Sequence, residues 1–364
     1  MEYNQLDQIV TPLLEWYEAD HRQLPWRETK DPYGVWVSEI MLQQTRVETV
    51  IPYYERFMQR CPTIVALASC EDEELLKLWE GLGYYSRVRN LKKAAQVICQ
   101  CHEGIFPHTY DEILALPGIG EYTAGAVLSI AFEEARAAVD GNVMRVVTRL
   151  TQDRQDIMEA KFRRQVTEAL EAVYPSKQRG DFTQSLMELG AVICVPNGEP
   201  LCAKCPLNAL CGAYEQGTMM QYPVKKKKPD RRKERKTVLI LRDQGRTAIR
   251  RRSAQGILSG MWELPNIDGV MTKQQITQWL ADREIDVIEL AEITRDGLQL
   301  KHIFTHIEWH MTCWLAVCST VAEDSGLTWV TQEQLEQEIA LPTAFKKCLK
   351  VFEDDRRRRQ NDDK

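Results

Sequence analysis

Apolar residues recur three and four positions apart along most of the first 222 residues. DEELLKLWEGL, VRNLKKAAQVI, TAGAVLSIAF and FRRQVTEALEAVY each show the pattern, and Gly, Pro and Asp break it at short intervals. The spacing predicts an almost wholly helical domain over 1–222. After residue 236 the period shortens. KTVLILRD, GRTAIRRR, HIFTHIEWHMTCWLAVC and LTWV alternate every second residue and are rich in β-branched and aromatic side chains, which predicts strands. TKQQITQWLADREI and TQEQLEQEIA read as helices between them, so a second domain of α+β type is expected over 237–350. Between the two lies KKKKPDRRKERK, where nine basic residues meet two acidic ones. The stretch 223–236 therefore reads as a solvated linker with some attraction for phosphate. The tail 351–364, ending in DDRRRRQNDDK, reads as disordered, and no internal repeat is found.

Length and composition agree with two domains. A chain of 364 residues, 44% of them hydrophobic, can bury a sizeable core, and a domain takes roughly 150 residues. The net charge of −6 argues only weakly against nucleic-acid binding, because binding follows the local distribution of charge. No apolar run is long enough to span a bilayer. The N-terminus MEYNQLDQIVTPLLEWYEAD lacks the cationic start and apolar block of a signal peptide. A cytoplasmic, nucleoid-associated monomer is expected. In a reducing compartment eleven cysteines serve better as buried apolar residues or metal ligands than as disulfides.

Three local patterns carry chemistry. The first is LPGIGEYTAGAV, 116–127, where Gly118 and Gly120 stand between apolar packing at Ile113, Leu114 and Leu116 and a new helix start. These glycines allow tight turns and close approach of another molecule, and the free N–H groups of the next helix suit a phosphate. An ordinary helix–helix turn would also favour them. The second is CVPNGEPLCAKCPLNALC, which places Cys194, Cys202, Cys205 and Cys211 in a C-x7-C-x2-C-x5-C array. Four thiolates so close suggest tetrahedral zinc or an iron–sulfur cluster, and the spacing alone does not choose.

The third pattern is a pair of acids in opposite settings. In VWVSEIMLQQT, Glu39 lies among Val35, Trp36, Val37, Ile40, Met41 and Leu42, an apolar setting that disfavours its charged form and raises its pKa. In AAVDGNVMRVVTRL, Asp140 stands just before a helix, where a carboxylate is stabilised as the anion. Singly, each has a plain structural reading: Glu39 as a partly exposed edge position, Asp140 as an N-cap. Together they supply a proton donor and an anion. Cleavage of a glycosidic bond uses that pair, one protonating the leaving group and the other meeting an oxocarbenium-like sugar. For a purine nucleoside the leaving base takes the proton at N7.

The full string L-P-G-I-G-x-x-T-A resembles the helix–hairpin–helix of base-excision DNA glycosylases. Glu39 in VSEIMLQQT, Tyr84 in GLGYYSR, the hairpin, Asp140 in VDGNVMRV and the cysteine loop follow the order seen in MutY-type adenine DNA glycosylases. The resemblance covers almost all of 1–222. It implies a multidomain fold: an all-α helix–hairpin–helix glycosylase domain (hairpin about 113–132), an iron–sulfur loop at 194–211, and a C-terminal Nudix-like α+β domain.

The resemblance also implies a monofunctional glycosylase of base-excision repair that removes adenine paired with 8-oxoguanine, and with guanine. Glu39 is similar to the general acid, and Asp140 to the cation-stabilising carboxylate, with Tyr122 and Asn142 supporting Asp140. Tyr122 stands where the bifunctional endonuclease III branch carries a Schiff-base lysine, so lyase chemistry should be missing or weak. Arg27 and Gln184 are similar to residues lining the pocket for the extruded adenine. Gln44, Thr45, Leu82 and Tyr84 resemble the group that reads the opposite strand, with Tyr84 wedged into the stack, which offsets the gap left by base flipping.

The cysteines resemble the family's C-x6-C-x2-C-x5-C loop, one residue longer in its first gap, which implies a 4Fe–4S cluster, with Lys204 the basic residue presented to DNA. GRTAIRRRSAQGILSGMWELPNID resembles the start of a Nudix fold, yet 267–290 lack the glutamate cluster of the Nudix box, so a recognition module is expected. Phe304-Thr305-His306 matches the family's Phe-Ser-His loop for 8-oxoguanine, with a methyl added at Thr305. A pyrimidine glycosylase of the same fold would not need an acid at 39 or the second domain. A nucleotide-pool hydrolase would need an intact Nudix box, and a non-enzymatic iron–sulfur DNA-binding protein would need both acids to be structural.

Overall fold

The computed structural model describes residues 2–226, 230–294, 300–321 and 325–362. Helices dominate the first stretch: α1 (Val10–Asp20), α2 (Pro32–Leu42), α3 (Val47–Arg60), α4 (Ile64–Ser69), α5 (Asp72–Leu78), α6 (Ser86–Cys101), α7 (Tyr110–Leu114), α8 (Glu121–Phe132), α9 (Gly141–Thr151), α10 (Ala160–Glu171), α11 (Arg179–Val192) and α12 (Gly212–Glu215). Then come β1 (Arg232–Asp243), β2 (Arg246–Arg251), β3 (Trp262–Glu263), β4 (Asn266–Asp268), α13 (Lys273–Ala281), β5 (Ile285–Glu292), β6 (Leu300–Ile303), β7 (Ile307–Val321), β8 (Thr328–Val330), α14 (Gln332–Gln337) and α15 (Thr343–Asp362). The chain forms two compact units, Met1–Cys70 with Ser86–Lys227, and Glu71–Tyr85 with Lys228–Lys364. The helical stretch is thus not one unit from end to end, because α5 and the loop after it group with the C-terminal half.

In the first unit α2 starts with Pro32 at its first turn, and the Asp31 carboxylate accepts the Gly34 N–H at 2.9 Å. Every residue from Tyr33 to Met41 is buried. The neighbouring α8 is buried from Thr123 to Ile130 and packs on α2 and α11. Gly125 lets α8 approach the chain before α9: a β-carbon there would lie 2.6 Å from the Ala137 carbonyl oxygen. Leu6, Ile9 and Leu13 join Val143, Val146, Val147 and Leu150 of α9, Phe162 and Val166 of α10, and Phe182, Leu186 and Leu189 of α11 in one core. These positions follow the three- and four-residue spacing of the sequence, which turns one face of each helix inward.

The second unit is a mixed sheet in the order β3-β2-β1-β7-β5, with β4 on β1, β6 on β7 and β8 on β2. β1 and β7 run parallel, from Arg232 against Ile307 to Arg242 against Val317. Period-two alternation sorts their side chains: Val238, Ile240, Met311, Cys313 and Leu315 pack in one cluster with Phe345 of α15, and Leu239, Leu241, Trp314 and Ala316 pack in another with Ile276 and Leu280 of α13.

Two expectations are corrected here. The basic stretch read as a linker is already strand from Arg232, and Lys236 is buried, with its ammonium on Asp268 and 4.8 Å from the centroid of the Trp309 ring. Parallel pairing to β7 satisfies the backbone, and the carboxylate and ring compensate the charge, so a basic run can join a sheet. Residues 227–229 lie outside the described set. The tail is also ordered further than expected, since α15 continues to Asp362, with 363–364 outside the described residues. Its first turns bury Ala344, Phe345 and Cys348 and carry the charged continuation in register.

Gly125→Ala drives a methyl onto a backbone carbonyl that cannot move without shifting the chain before α9. The variant should lose about 2 kcal/mol of stability, read as a lowered urea midpoint with an unchanged slope.

Candidate active site

A cavity of about 510 Å³ opens in the first unit and is lined by residues of α2, α8, α9 and α11 together with Arg22, Arg27 and Thr45. α2 presents Glu39 to it, 6% exposed. Burial pushes the Glu39 carboxyl up to about 7, and the nearby Asp140 adds to the push. The Tyr122 hydroxyl, from α8, donates to Glu39 Oε2 at 2.6 Å and lies 3.9 Å from Met187 Sδ. Tyr122 is itself held well above the ordinary phenol range by burial and by the two acids, so it stays a donor.

Asp140 caps α9. Its Oδ1 accepts the Asn142 and Val143 amides, each at 2.8 Å, and its Oδ2 accepts Asn142 Nδ2 at 2.8 Å. Asn142 Oδ1 in turn accepts from Arg145 at 2.9 Å. The carboxyl is nonetheless raised above its ordinary value, because burial acts more strongly than the amides, Arg145 and Asn142 pull down. This corrects the expectation that the helix start alone would favour the anion. The contrast between the acids survives in another form: Asp140 accepts three N–H donors, whereas Glu39 accepts one hydroxyl. A second correction concerns Tyr122, which was expected to support Asp140 and instead donates to Glu39.

Arg27 and Gln184 line the cavity, and so do Gln44 and Thr45, which the resemblance assigned to the opposite strand. A further acid, Glu188, was not anticipated. One of its oxygens accepts Arg22 Nε at 2.7 Å, the other accepts Arg27 at 2.9 Å, and its side chain is 1% exposed. Arg27 also donates to the Arg22 carbonyl and lies over the Tyr17 ring. The two guanidinium groups outweigh the burial and hold Glu188 down to about 2. The sequence does carry a signal for it: like Glu39, Glu188 interrupts an apolar run, LMELGAV.

Gly118 has φ +79°, a left-handed turn, and a β-carbon there would meet Asn90 at 2.6 Å. Gly120 has φ −112° and open space around it, so it is the N-cap of α8 without steric need for glycine. Of the cysteines, Cys194, Cys205 and Cys211 pack against the helical core. Arg149 of α9 donates to Cys194 Sγ at 3.1 Å, and Arg145 to the Cys194 carbonyl at 2.7 Å. Burial pushes the Cys205 thiol up to about 12, with Cys194, Cys211 and Cys202 adding to it. Among the described residues no group of three or more His, Cys, Asp or Glu side chains is placed to hold a metal ion. The donor set nonetheless fits a thiolate-held group, since four thiols share one loop and a guanidinium N–H points at a sulfur.

In the second unit Leu82 and Tyr85 are buried, whereas Tyr84 is 44% exposed. The expected single strand HIFTHIEWHMTCWLAVC breaks at 304–306 into a turn between β6 and β7, closed by the Phe304 N–H to the Ile307 carbonyl at 2.8 Å. Phe304 packs edge-on against Trp309, and Thr305 and His306 are exposed. The Thr305 hydroxyl lies 3.2 Å from that of Tyr84.

A family model described as HhH-GPD superfamily base excision DNA repair protein matches residues 37–172, and one described as NUDIX domain matches 237–351. The adenine DNA glycosylase of Buchnera aphidicola subsp. Schizaphis graminum is 32% identical over 344 residues, covering 93% of this chain and 97% of its own. The chain belongs to the adenine DNA glycosylase family. The adenine DNA glycosylase of Rattus norvegicus is 32% identical over 410 residues, covering 95% of this chain and 78% of its own. Among solved structures, a thermostable thymine-DNA glycosylase is 30% identical with a TM-score of 0.53, covering 58% of this chain and 98% of that one. A non-covalent endonuclease III–DNA complex is 23% identical with a TM-score of 0.51, covering 60% and 98%, and shows the shared helical fold. As a member of the adenine DNA glycosylase family this chain is a DNA N-glycosylase, a hydrolase that removes adenine in base excision repair. No helix among the described residues is long and apolar enough to cross a membrane.

Glu188→Ala should leave two guanidinium groups around an emptied buried site and cost about 3 kcal/mol, the lower end for a broken buried pair because Arg22 is 32% exposed. Since the folded-state pKa is depressed to about 2, the stabilisation is complete above about 4.5. The difference between wild type and variant in urea unfolding should therefore shrink as pH falls from about 4.5 toward about 2.

Proposed function

We propose that the adenine removed is one paired with 8-oxoguanine in duplex DNA, with adenine opposite guanine a second substrate. The observation that carries the chemical part is Glu39, raised to about 7 and sharing one cavity with Asp140. Glu39 is then an acid still protonated near neutrality and gives its proton to N7 of the extruded adenine. The Tyr122 hydroxyl at 2.6 Å fixes the carboxyl and stabilises the carboxylate left behind. Asp140, held by two amides and Asn142, faces the sugar and meets the developing oxocarbenium-like charge before water completes the hydrolysis. Arg27, anchored by Glu188, and Gln184 line the base pocket. Tyr122 offers no amine, which supports a monofunctional reaction.

The hairpin at Gly118 and Gly120, with open space at Gly120 where α8 begins, would take a backbone phosphate of the DNA. Cys194, Cys202, Cys205 and Cys211 would hold a 4Fe–4S cluster, a group that accepts one thiolate from each and supplies a rigid core for the loop rather than hydrolytic chemistry. In the second unit Leu82, Tyr84, Phe304, Thr305 and His306 would read the base opposite. The neighbouring hydroxyls of Tyr84 and Thr305 support that reading, since 8-oxoguanine differs from guanine in its O8 acceptor and N7–H donor.

The test is single-turnover adenine release from a duplex with adenine opposite 8-oxoguanine, with adenine opposite thymine as control. Wild type should release adenine from the mispair alone, and Glu39→Gln should bind yet release it at least ~10²-fold more slowly. With Asp140 needed as the anion and raised above its ordinary value, the rate should fall at acid pH, and with Glu39 at about 7 it should fall about tenfold per unit above about 7. Glu39→Gln should lose the alkaline limb. Undiminished release by Glu39→Gln would remove Glu39 from the donor role.

A further inference from the structure

The unit that holds Lys228–Lys364 takes in Glu71–Tyr85, and this short segment carries Leu82 and Tyr84. Its fastenings within that unit are polar and directional. Glu80 Oε1 accepts the Leu341 N–H at 2.8 Å, and Oε2 lies 2.8 Å from Lys346 Nζ and 3.0 Å from Lys77 Nζ. Lys77 also donates to the Ile339 carbonyl at 3.0 Å. At the start of α5, Glu73 accepts the Trp262 indole N–H at 3.1 Å and pairs with Arg251, whose guanidinium lies 4.0 Å from the Trp262 ring centroid. Beyond Glu80 the Trp79 indole N–H closes the loop on the Gly83 carbonyl at 3.1 Å, and the Tyr84 hydroxyl meets Thr305.

Two features separate Glu80 from an ordinary surface ion pair. Its side chain is only 9% exposed, and besides two ammonium groups it accepts the N–H of the buried Leu341, which its loss leaves without that acceptor. Tyr84 moreover has φ +47°, an unfavourable backbone for a residue with a β-carbon, and a conformation of that kind persists only when its surroundings impose it.

We propose that Glu80 is a positioning residue for discrimination of the base opposite adenine. It fastens the 79–85 loop to the 339–346 segment, so that the Tyr84 and Thr305 hydroxyls are presented as one preset pair before DNA arrives. The inference rests on the reading of Tyr84 and Thr305 as the readers of 8-oxoguanine. Glu80 touches neither substrate nor reacting atoms; it acts through Tyr84. Preorganisation of this kind changes affinity for the matching base and leaves the bond-breaking step alone.

The experiment uses the full-length protein and the variants Glu80→Ala, Glu80→Gln, Thr305→Val and Glu80→Ala with Thr305→Val. Three quantities are read: affinity for adenine opposite 8-oxoguanine relative to adenine opposite guanine, the single-turnover rate at saturating enzyme, and amide hydrogen exchange over 79–85 and at Leu341 without DNA. Glu80→Ala should lower the 8-oxoguanine preference about tenfold, speed exchange at both segments, and leave the saturated rate within about twofold. Glu80→Gln keeps an acceptor for the Leu341 N–H and should fall between. The double variant should lose no more preference than the larger single loss, because both act on one pair. Faster exchange in Glu80→Ala with an undiminished preference overturns the proposal, and so does a saturated rate that falls as far as the preference. Should Glu80→Ala not fold, the same outcomes read on Glu80→Gln decide. If wild type shows no preference for 8-oxoguanine, the recognition reading fails first and takes the discriminating role with it, an outcome distinguishable because no variant is then needed to see it.

Discussion

The helical unit is organised around a carboxyl that has no charged form it can hold cheaply. α2 is buried along its whole middle, and Glu39 lies in that middle. A neutral carboxyl in such a place needs one good hydrogen-bond partner rather than a counter-ion, and Tyr122 supplies it from α8. The packing of α8 on α2 brings that hydroxyl within reach. Loss of the burial would lower the pKa and, on the proposed reading, take away the proton the acid is to give. Packing and chemistry are the same constraint at this residue.

α9 extends the constraint to a second acid and to the cysteine loop. Its N-terminus holds Asp140 through two amides and Asn142. One turn on, Arg145 holds Asn142 and the Cys194 carbonyl together, and a turn further Arg149 reaches the Cys194 sulfur. A single helix therefore fixes the Asp140 carboxyl and anchors the first cysteine of the array. Opposite it, Glu188 draws Arg22 and Arg27 to the cavity wall, so these two cations are fixed by a buried anion instead of lying loose at the mouth. Removing a side chain from either network would leave a buried partner unsatisfied, which is costlier than the bond itself.

The C-terminal unit depends on simpler rules. Period-two alternation in β1 and β7 sends alternate side chains to two cores on opposite faces of the sheet. The turn at Phe304–His306 arises where that alternation stops: Phe304 points in against Trp309 and the next two residues point out. Cationic side chains are tolerated inside this unit where aromatic faces and acids surround them, as Lys236 and Arg252 are about Trp309 and Arg250 and Arg252 are about Glu263.

Much of this was legible in the sequence because its signals are local. The apolar setting of Glu39, the cap at Asp140, the glycine turn at 118 and the cysteine spacing are each confined to a short stretch of chain, and helix or strand period places them. Partnerships over long separations were not legible. Glu188 finds Arg22 and Arg27 across 166 and 161 positions, Tyr122 chooses Glu39 rather than Asp140, and Lys236 enters a sheet through a strand over seventy residues away. The sign of the Asp140 shift and the grouping of Glu71–Tyr85 with the second unit likewise required the packed structure. The sequence by itself determined which residues can do the chemistry, because residue type and local period fix helix faces, caps and turns. Only the tertiary structure decided which of them meet and which way each acid shifts, because burial and pairing sum over neighbours brought together by folding.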